Sequence, residues 1–279
     1  MNKTRQAIID EILKQKEQSD AILRQEAKKN LYIFNKFILN ADEGVNKVPL
    51  APFHKELCNF VQDSPDKKKL ILVPRLHLKS TLVTIGYSIF RIIQDPNVRI
   101  LIISGTYENA VDFVGAIEDH LTHNEKIIDI FGDYGKSPIT WKTDRFTLST
   151  NRTRLGDKEP TVLGVGIESN VVSKHFNVII MDDVVTLENS QTLEQRDKVL
   201  RRYRDIPNLL EKGGQLIIIG TRWDDDDLYG FVLNPDNHQR AYFEIFKKSS
   251  IEWEGDLKES LGTGLGFKSS LYSRNVKRN

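Results

Sequence analysis

The chain has 279 residues, with 40 Lys and Arg against 39 Asp and Glu and a formal charge of +1. That length suits one large domain, or a domain with extensions. The near-cancelled charge excludes a histone-like or tail-driven polyanion binder, though not a local basic groove. No run approaches the ~18 apolar residues of a membrane span. The charged start MNKTRQAIIDEILKQKEQ has no signal-peptide core. A lone cysteine, Cys58, excludes an internal disulfide and reads as a buried structural thiol in a cytosolic compartment.

The segment to about Lys29 carries Ile8-Ile9, Ile12-Leu13 and Ile22-Leu23, spacing that predicts an amphipathic helix with a polar break around Gln15–Ser19. It is expected to lie on the domain; a partner-binding arm is the sharper alternative. From Leu31 the apolar content rises, and after Pro49 and Pro52 the stretch PFHKELCNFV reads as a helix, followed by a turn over Asp63–Asp66. Leu70–Val73, Arg99–Ser104, Val178–Met181 and Gln215–Ile219 are continuous apolar runs, the pattern of parallel strands covered on both faces. Helices are expected from Ser80 to about Gln94 and from about Glu108 to Leu121, so strand and helix alternate as in α/β folds. Arg145–Thr150 and Thr161–Ile167 alternate in polarity and predict a β-hairpin within or beside the main sheet. Tyr242–Phe246 reads as a last strand.

Three segments carry chemistry. In LILVPRLHLKST a buried strand meets a short loop and Lys79-Ser80 opens a helix. Amides there could cradle phosphate, Lys79 could neutralise its charge, and Ser80 could complete a Mg²⁺ shell. Against G-x-x-x-x-G-K-S/T the match is degenerate, because Val73 and Leu78 stand at the glycine places. An ordinary strand–helix turn is the alternative; Arg75, a second cation in the loop, favours phosphate. NVIIMDDVV ends an apolar strand in Asp182 and Asp183, at the edge where α/β sheets bind ligands. There Asp182 would hold Mg²⁺ and Asp183 would orient or deprotonate a water, whereas the structural alternative is a turn or helix cap. QLIIIGTRWDDDDLYG sends Thr221 and Arg222 to the same edge. Asp224–Asp227 suggest either a metal site or, more simply, a helix N-terminus where acids favour the dipole.

In this order, PFHKELC, PRLHLKST, IIMDD and GTRWDDDDL resemble the ATPase domain of a tailed-phage terminase large subunit, over roughly Leu31 to Gly230. The chain departs at Leu76, where such proteins carry glycine in a PRGxxKS loop. The resemblance implies an ASCE-type P-loop NTPase, with a mainly parallel sheet flanked by helices and an N-terminal helical arm over 1–30. The ATPase domain would span 31–250 and an irregular tail 251–279, without the nuclease domain that large terminases carry; about fifty residues are too few for one. It implies ATP and Mg²⁺ as cofactors, held by Arg75, Leu76, His77, Leu78, Lys79, Ser80 and Thr81, with Phe53 and His54 at the adenine end. Ser80 and Asp182 would bind the metal, Asp183 would be the catalytic carboxylate, and Thr221 the coupling residue. Lys174 is a candidate for charge donated to a neighbour's active site. Glu188, Asn189 and Arg196 would link hydrolysis to movement, or simply begin an exposed helix capped by Asn189 or Ser190. Lys142, Arg145, Arg152 and Arg154 are candidate DNA contacts, with a solvated hairpin as the alternative. The implied partners are double-stranded DNA, a portal protein and a small terminase subunit, with copies forming a homo-oligomeric ring in the bacterial host cytoplasm.

Overall fold

A computed structural model describes residues 3–40, 49–63, 68–136, 138–148, 159–171, 174–221, 226–248, 251–253 and 267–269. The apolar runs form one sheet. Its strands are β1 (Lys68–Leu72), β2 (Ile100–Ser104), β3 (Pro138–Lys142), β4 (Arg145–Leu148), β5 (Val162–Gly166), β6 (Phe176–Asp182), β7 (Leu210–Gly220) and β8 (Phe243–Lys247). They lie side by side in the order β3-β4-β5-β2-β6-β7-β1-β8. From β5 to β8 every pairing is parallel, which aligns the carboxyl ends of β1, β6 and β7 on one edge.

Both faces are covered, which is why the strands read as unbroken apolar runs. Ile71, Ile102, Ile180 and Ile217 face one core. Against it pack the end of α1 (Lys3–Lys29), the turn α2 (Leu31–Ile33), α3 (Pro52–Asp63), α4 (Ser88–Gln94), α5 (Tyr107–His123) and α6 (Glu125–Phe131). Their neighbours Leu70, Leu101, Ile179 and Leu216 face the opposite core. After the short helix α7 (Leu187–Ser190), α8 (Leu193–Asp205) and α9 (Leu228–Leu233) cover that side. Among the described residues no helix is long and apolar enough to cross a membrane.

Several elements differ from the sequence reading. α1 runs unbroken through Gln15–Ser19, because Gln, Lys and Glu are good helix formers. Among its described side chains, those near its end lie on the domain: Ala27 is buried, while Ile12 and Ile22 are 59% and 65% exposed. The predicted hairpin is part of the main sheet, where β4 pairs antiparallel with β5, and β3 adds an unforeseen outer strand on β4. Thr186 and Thr192, rather than Asn189 or Ser190, cap α7 and α8, each in a reciprocal capping box with Asn189 and Gln195. Asp227 caps α9 by accepting from the Gly230 amide at 2.9 Å, the helix-start reading of the acidic run. In the tail, Ile251–Trp253 and Phe267–Ser269 pair as an antiparallel ladder.

The helix after β1 is wound as a π-helix over Ser80–Tyr87 before α4. The wider turn is supported from outside: Asn35 Nδ2 donates to the Leu82 carbonyl at 3.2 Å. Gly86 makes room for this, since a Cβ there would lie 2.0 Å from Asn35 Oδ1.

Candidate active site

The loop between β1 and the helix beginning at Ser80 closes through two left-handed residues, Leu76 (φ 65°) and Leu78 (φ 54°). This is backbone that glycine adopts freely and that costs an L-residue roughly 1–2 kcal/mol. The chain therefore builds glycine-like loop geometry from leucine. Arg75 and Leu76 are exposed at its tip, while His77, Leu78 and Thr81 are half-buried.

His54 fastens this loop to α3. Its Nδ1 accepts from the Ala51 amide at 2.8 Å, so Nε2 carries the proton and donates to the His77 carbonyl at 3.2 Å. With both ring nitrogens engaged, the 2% exposed imidazole has none left for a base, and burial lowers its pKa. Phe53 is half-buried, with its ring 5.6 Å from that of His77.

Lys79, Asp183 and Thr221 meet at one point. Lys79 Nζ donates to Asp183 Oδ1 at 3.0 Å and to Thr221 Oγ1 at 2.6 Å. The lysine side chain is 6% exposed and the aspartate 42%, so the pair opens to solvent on the carboxylate side. Asp183 also has a left-handed backbone (φ 44°), which Asp tolerates better than most residues. Its amide still donates to the Ile219 carbonyl at 2.9 Å. This turn breaks the strand's alternation, and two consecutive carboxylates reach the same loop and helix.

Asp182 is fully buried. Thr84 Oγ1 donates to its Oδ2, Ser104 Oγ donates to its backbone carbonyl at 3.0 Å, and Oδ1 has no hydrogen-bond partner. Burial first, and then the charge of Asp183, push its carboxyl up to about 6; Thr84, Ser80 and Lys79 act in the opposite direction. An orphaned, buried carboxylate oxygen beside Ser80 fits a divalent cation. Among the described residues no group of three or more His, Cys, Asp or Glu could hold a metal. Mg²⁺ takes one or two carboxylates and completes its shell with phosphate and water.

Gly220, the last residue of β7, lets Tyr229 pack against the strand end: a Cβ would sit 2.1 Å from the ring. The Tyr229 hydroxyl in turn accepts from the Val185 amide at 3.5 Å, joining the ends of β6 and β7 behind Thr221. Thr84, Ser104 and Tyr229 were not singled out from the sequence. For Thr84 a signal existed: a hydroxyl four residues after Ser80, among Leu82, Val83 and Ile85.

Other candidate residues lie elsewhere. Lys174 precedes the opposite end of β6, roughly 25 Å from Asp182 at ~3.3 Å per residue. It lines a cavity of about 340 Å³ with His175, Ile167, Val171, Arg202 and Leu209. Arg196 Nη1 donates to the Ser190 carbonyl at 2.8 Å, tying α8 to α7, and Glu188 and Asn189 border a second hollow of about 260 Å³. Arg145 pairs with Asp144 at 2.5 Å and Lys142 is exposed. Arg222, Trp223, Asp224, Asp225, Arg152 and Arg154 lie outside the described residues.

In ASCE-type P-loop NTPases one strand separates the loop-bearing strand from the acidic one. β7 holds that place between β1 and β6, and the chain has the fold of P-loop NTPases of this type. No protein-family model matches it. The terminase large subunit of Enterobacteria phage T3 is 25% identical over 169 residues, which are 59% of this chain and 27% of that protein. The chain thus spans about a quarter of the length of that curated relative. Among solved structures, the large terminase of bacteriophage HK97 superposes with a TM-score of 0.50 at 15% identity, covering 76% of this chain and 42% of that one. The large terminase ATPase domain of Thermus phage P74-26 gives 0.44 at 14% identity, with 68% and 78% covered. The resemblance carried by the motifs holds: the chain is similar to tailed-phage terminase large subunits over their N-terminal ATPase domain.

Proposed function

We propose that the chain is the ATP-hydrolysing motor domain of a phage terminase large subunit, driving double-stranded DNA into a procapsid. One observation carries the reading: Lys79, Asp183 and Thr221 converge on a single ammonium group beside a buried carboxylate with one free oxygen. Residues 31–250 would be the ATPase domain and 1–30 a helical arm. Ser80 Oγ and Asp182 Oδ1 would hold Mg²⁺, which when bound neutralises charge on the β- and γ-phosphates. Lys79 would leave Asp183 for the phosphates, freeing the carboxylate to accept a proton from the attacking water. The loop amides from Leu76 to Thr81 and the Arg75 guanidinium would surround the phosphate chain, and Phe53 would border the base. Thr221, released from Lys79, would contact the γ-phosphate and transmit its loss to β7. Lys174, remote from its own site, would act on a neighbouring copy when a ring assembles on the portal. The portal protein and a small terminase subunit are the proposed protein partners, in the host cytoplasm.

The leucines in the loop favour a second reading, a nucleotide- or DNA-binding remnant with little hydrolysis. Against it, Leu76 and Leu78 hold the backbone shape that glycine would supply. Phosphate release from Mg-ATP, with and without linear double-stranded DNA, separates the two. The motor reading expects hydrolysis that Lys79→Ala lowers by about 100-fold or more. Equal background rates in both proteins leave only the remnant.

A further inference from the structure

Ser88 and Thr84 share one helix and use their hydroxyls differently. Ser88 Oγ donates back to the Thr84 carbonyl at 2.6 Å, the local bond that helical Ser and Thr commonly make. Thr84 is fully buried among apolar neighbours and donates instead across to Asp182 Oδ2, 98 positions away in sequence. A buried carboxylate has several lone pairs to satisfy, and an unmet one is costly. Here Thr84 commits one oxygen, Ser104 holds the backbone carbonyl, and Oδ1 is left without a partner in a residue with no solvent exposure. A hydrogen bond to Oδ2 fixes the rotation of the carboxyl group, and the lone pairs of Oδ1 stay open to a cation. One fixed and one free oxygen is the arrangement that presents a ligand.

We propose that Thr84 is a positioning residue: its hydroxyl pins Asp182 so that Oδ1 is presented to the divalent cation of the bound nucleotide. The inference rests on the Mg-ATP reading of this site. It makes Thr84 an outer partner of the metal, and losing such partners typically costs 10–100-fold in metal affinity.

The test uses Mn²⁺ as probe, with free ion measured by electron paramagnetic resonance in the presence of the full chain and a slowly hydrolysed ATP analogue. Thr84→Val, which keeps shape and deletes the hydroxyl, should weaken Mn²⁺ binding about 10-fold or more. Thr84→Ser, which restores the donor, should stay within about threefold of the parent. Nucleotide binding in EDTA should be unchanged in both, which reports an intact loop and fold. Equal Mn²⁺ affinity in Thr84→Val and parent overturns the proposal, as does an equal loss in the Val and Ser variants, which assigns Thr84 to packing. A parent protein that binds no Mn²⁺ with the analogue overturns the Mg-ATP reading itself, and the inference with it.

Discussion

Replacing Leu76 by glycine should stabilise the protein relative to replacing it by alanine, the reverse of the usual order. At an ordinary negative-φ position glycine is about 0.5–1 kcal/mol less stable than alanine, because it loses more backbone entropy on folding. At Leu76 the backbone has φ 65°, which costs an L-residue roughly 1–2 kcal/mol and glycine nothing. The difference leaves glycine ahead by roughly 0.5–1 kcal/mol. Leu76 is 63% exposed, and the packing lost on truncation is nearly the same in both variants, so the comparison isolates the backbone. Urea unfolding of Leu76→Gly and Leu76→Ala, at equal slope, gives the difference directly. Asp112, exposed in the middle of α5, supplies the control, where Gly should fall below Ala by about 1 kcal/mol. Should Leu76→Gly also fall below Leu76→Ala, the loop is not held in left-handed geometry, and its glycine-like shape is refuted.

Two further predictions concern the buried polar groups around the site. Because the Asp182 carboxyl is raised to about 6, its contribution to stability is full below the unfolded value near 4 and is lost as pH rises through 6. Asp182→Asn should therefore stabilise the metal-free protein increasingly from about pH 4 to about pH 7 and by a constant amount above, on the order of 2–3 kcal/mol; urea midpoints that stay parallel between about pH 4 and 7 would contradict it. At the π-wound helix, Gly86→Ala should cost about 1–3 kcal/mol through its clash with Asn35. Thermal melts of Gly86→Ala with and without Asn35→Ala test this, and an additive double variant would show that the two do not touch.

Much of this architecture can be read from the chain. Leu70–Val73, Val178–Met181 and Leu216–Ile219 are apolar throughout because both sheet faces are covered, and that pattern survives any error in their boundaries. Spacing also brings Lys79, Asp182, Asp183 and Thr221 to one edge, since each follows a parallel strand. Backbone shape was not legible. Leu76 and Leu78 look like defects in a glycine motif, and only their φ angles show that the loop keeps its form. Nor was the widened helix foreseen, because its support comes from Asn35, more than forty residues upstream of the carbonyl it holds. His54 looked like a base contact, yet its two nitrogens bind backbone at Ala51 and His77. Outer partners such as Thr84 are set by packing between helix and strand, which periodicity does not encode.

On the proposed ATPase reading, Asp183 is the group that activates the attacking water. A single-turnover measurement on Asp183→Asn tests it most directly, with Mg-ATP binding and phosphate release followed on the same sample. Binding should be at least as tight as the parent's, because Lys79 is no longer held by the Asp183 carboxylate, with the hydrolysis rate reduced about 10²–10⁴-fold. Hydrolysis at the parental rate, with binding intact, would contradict it.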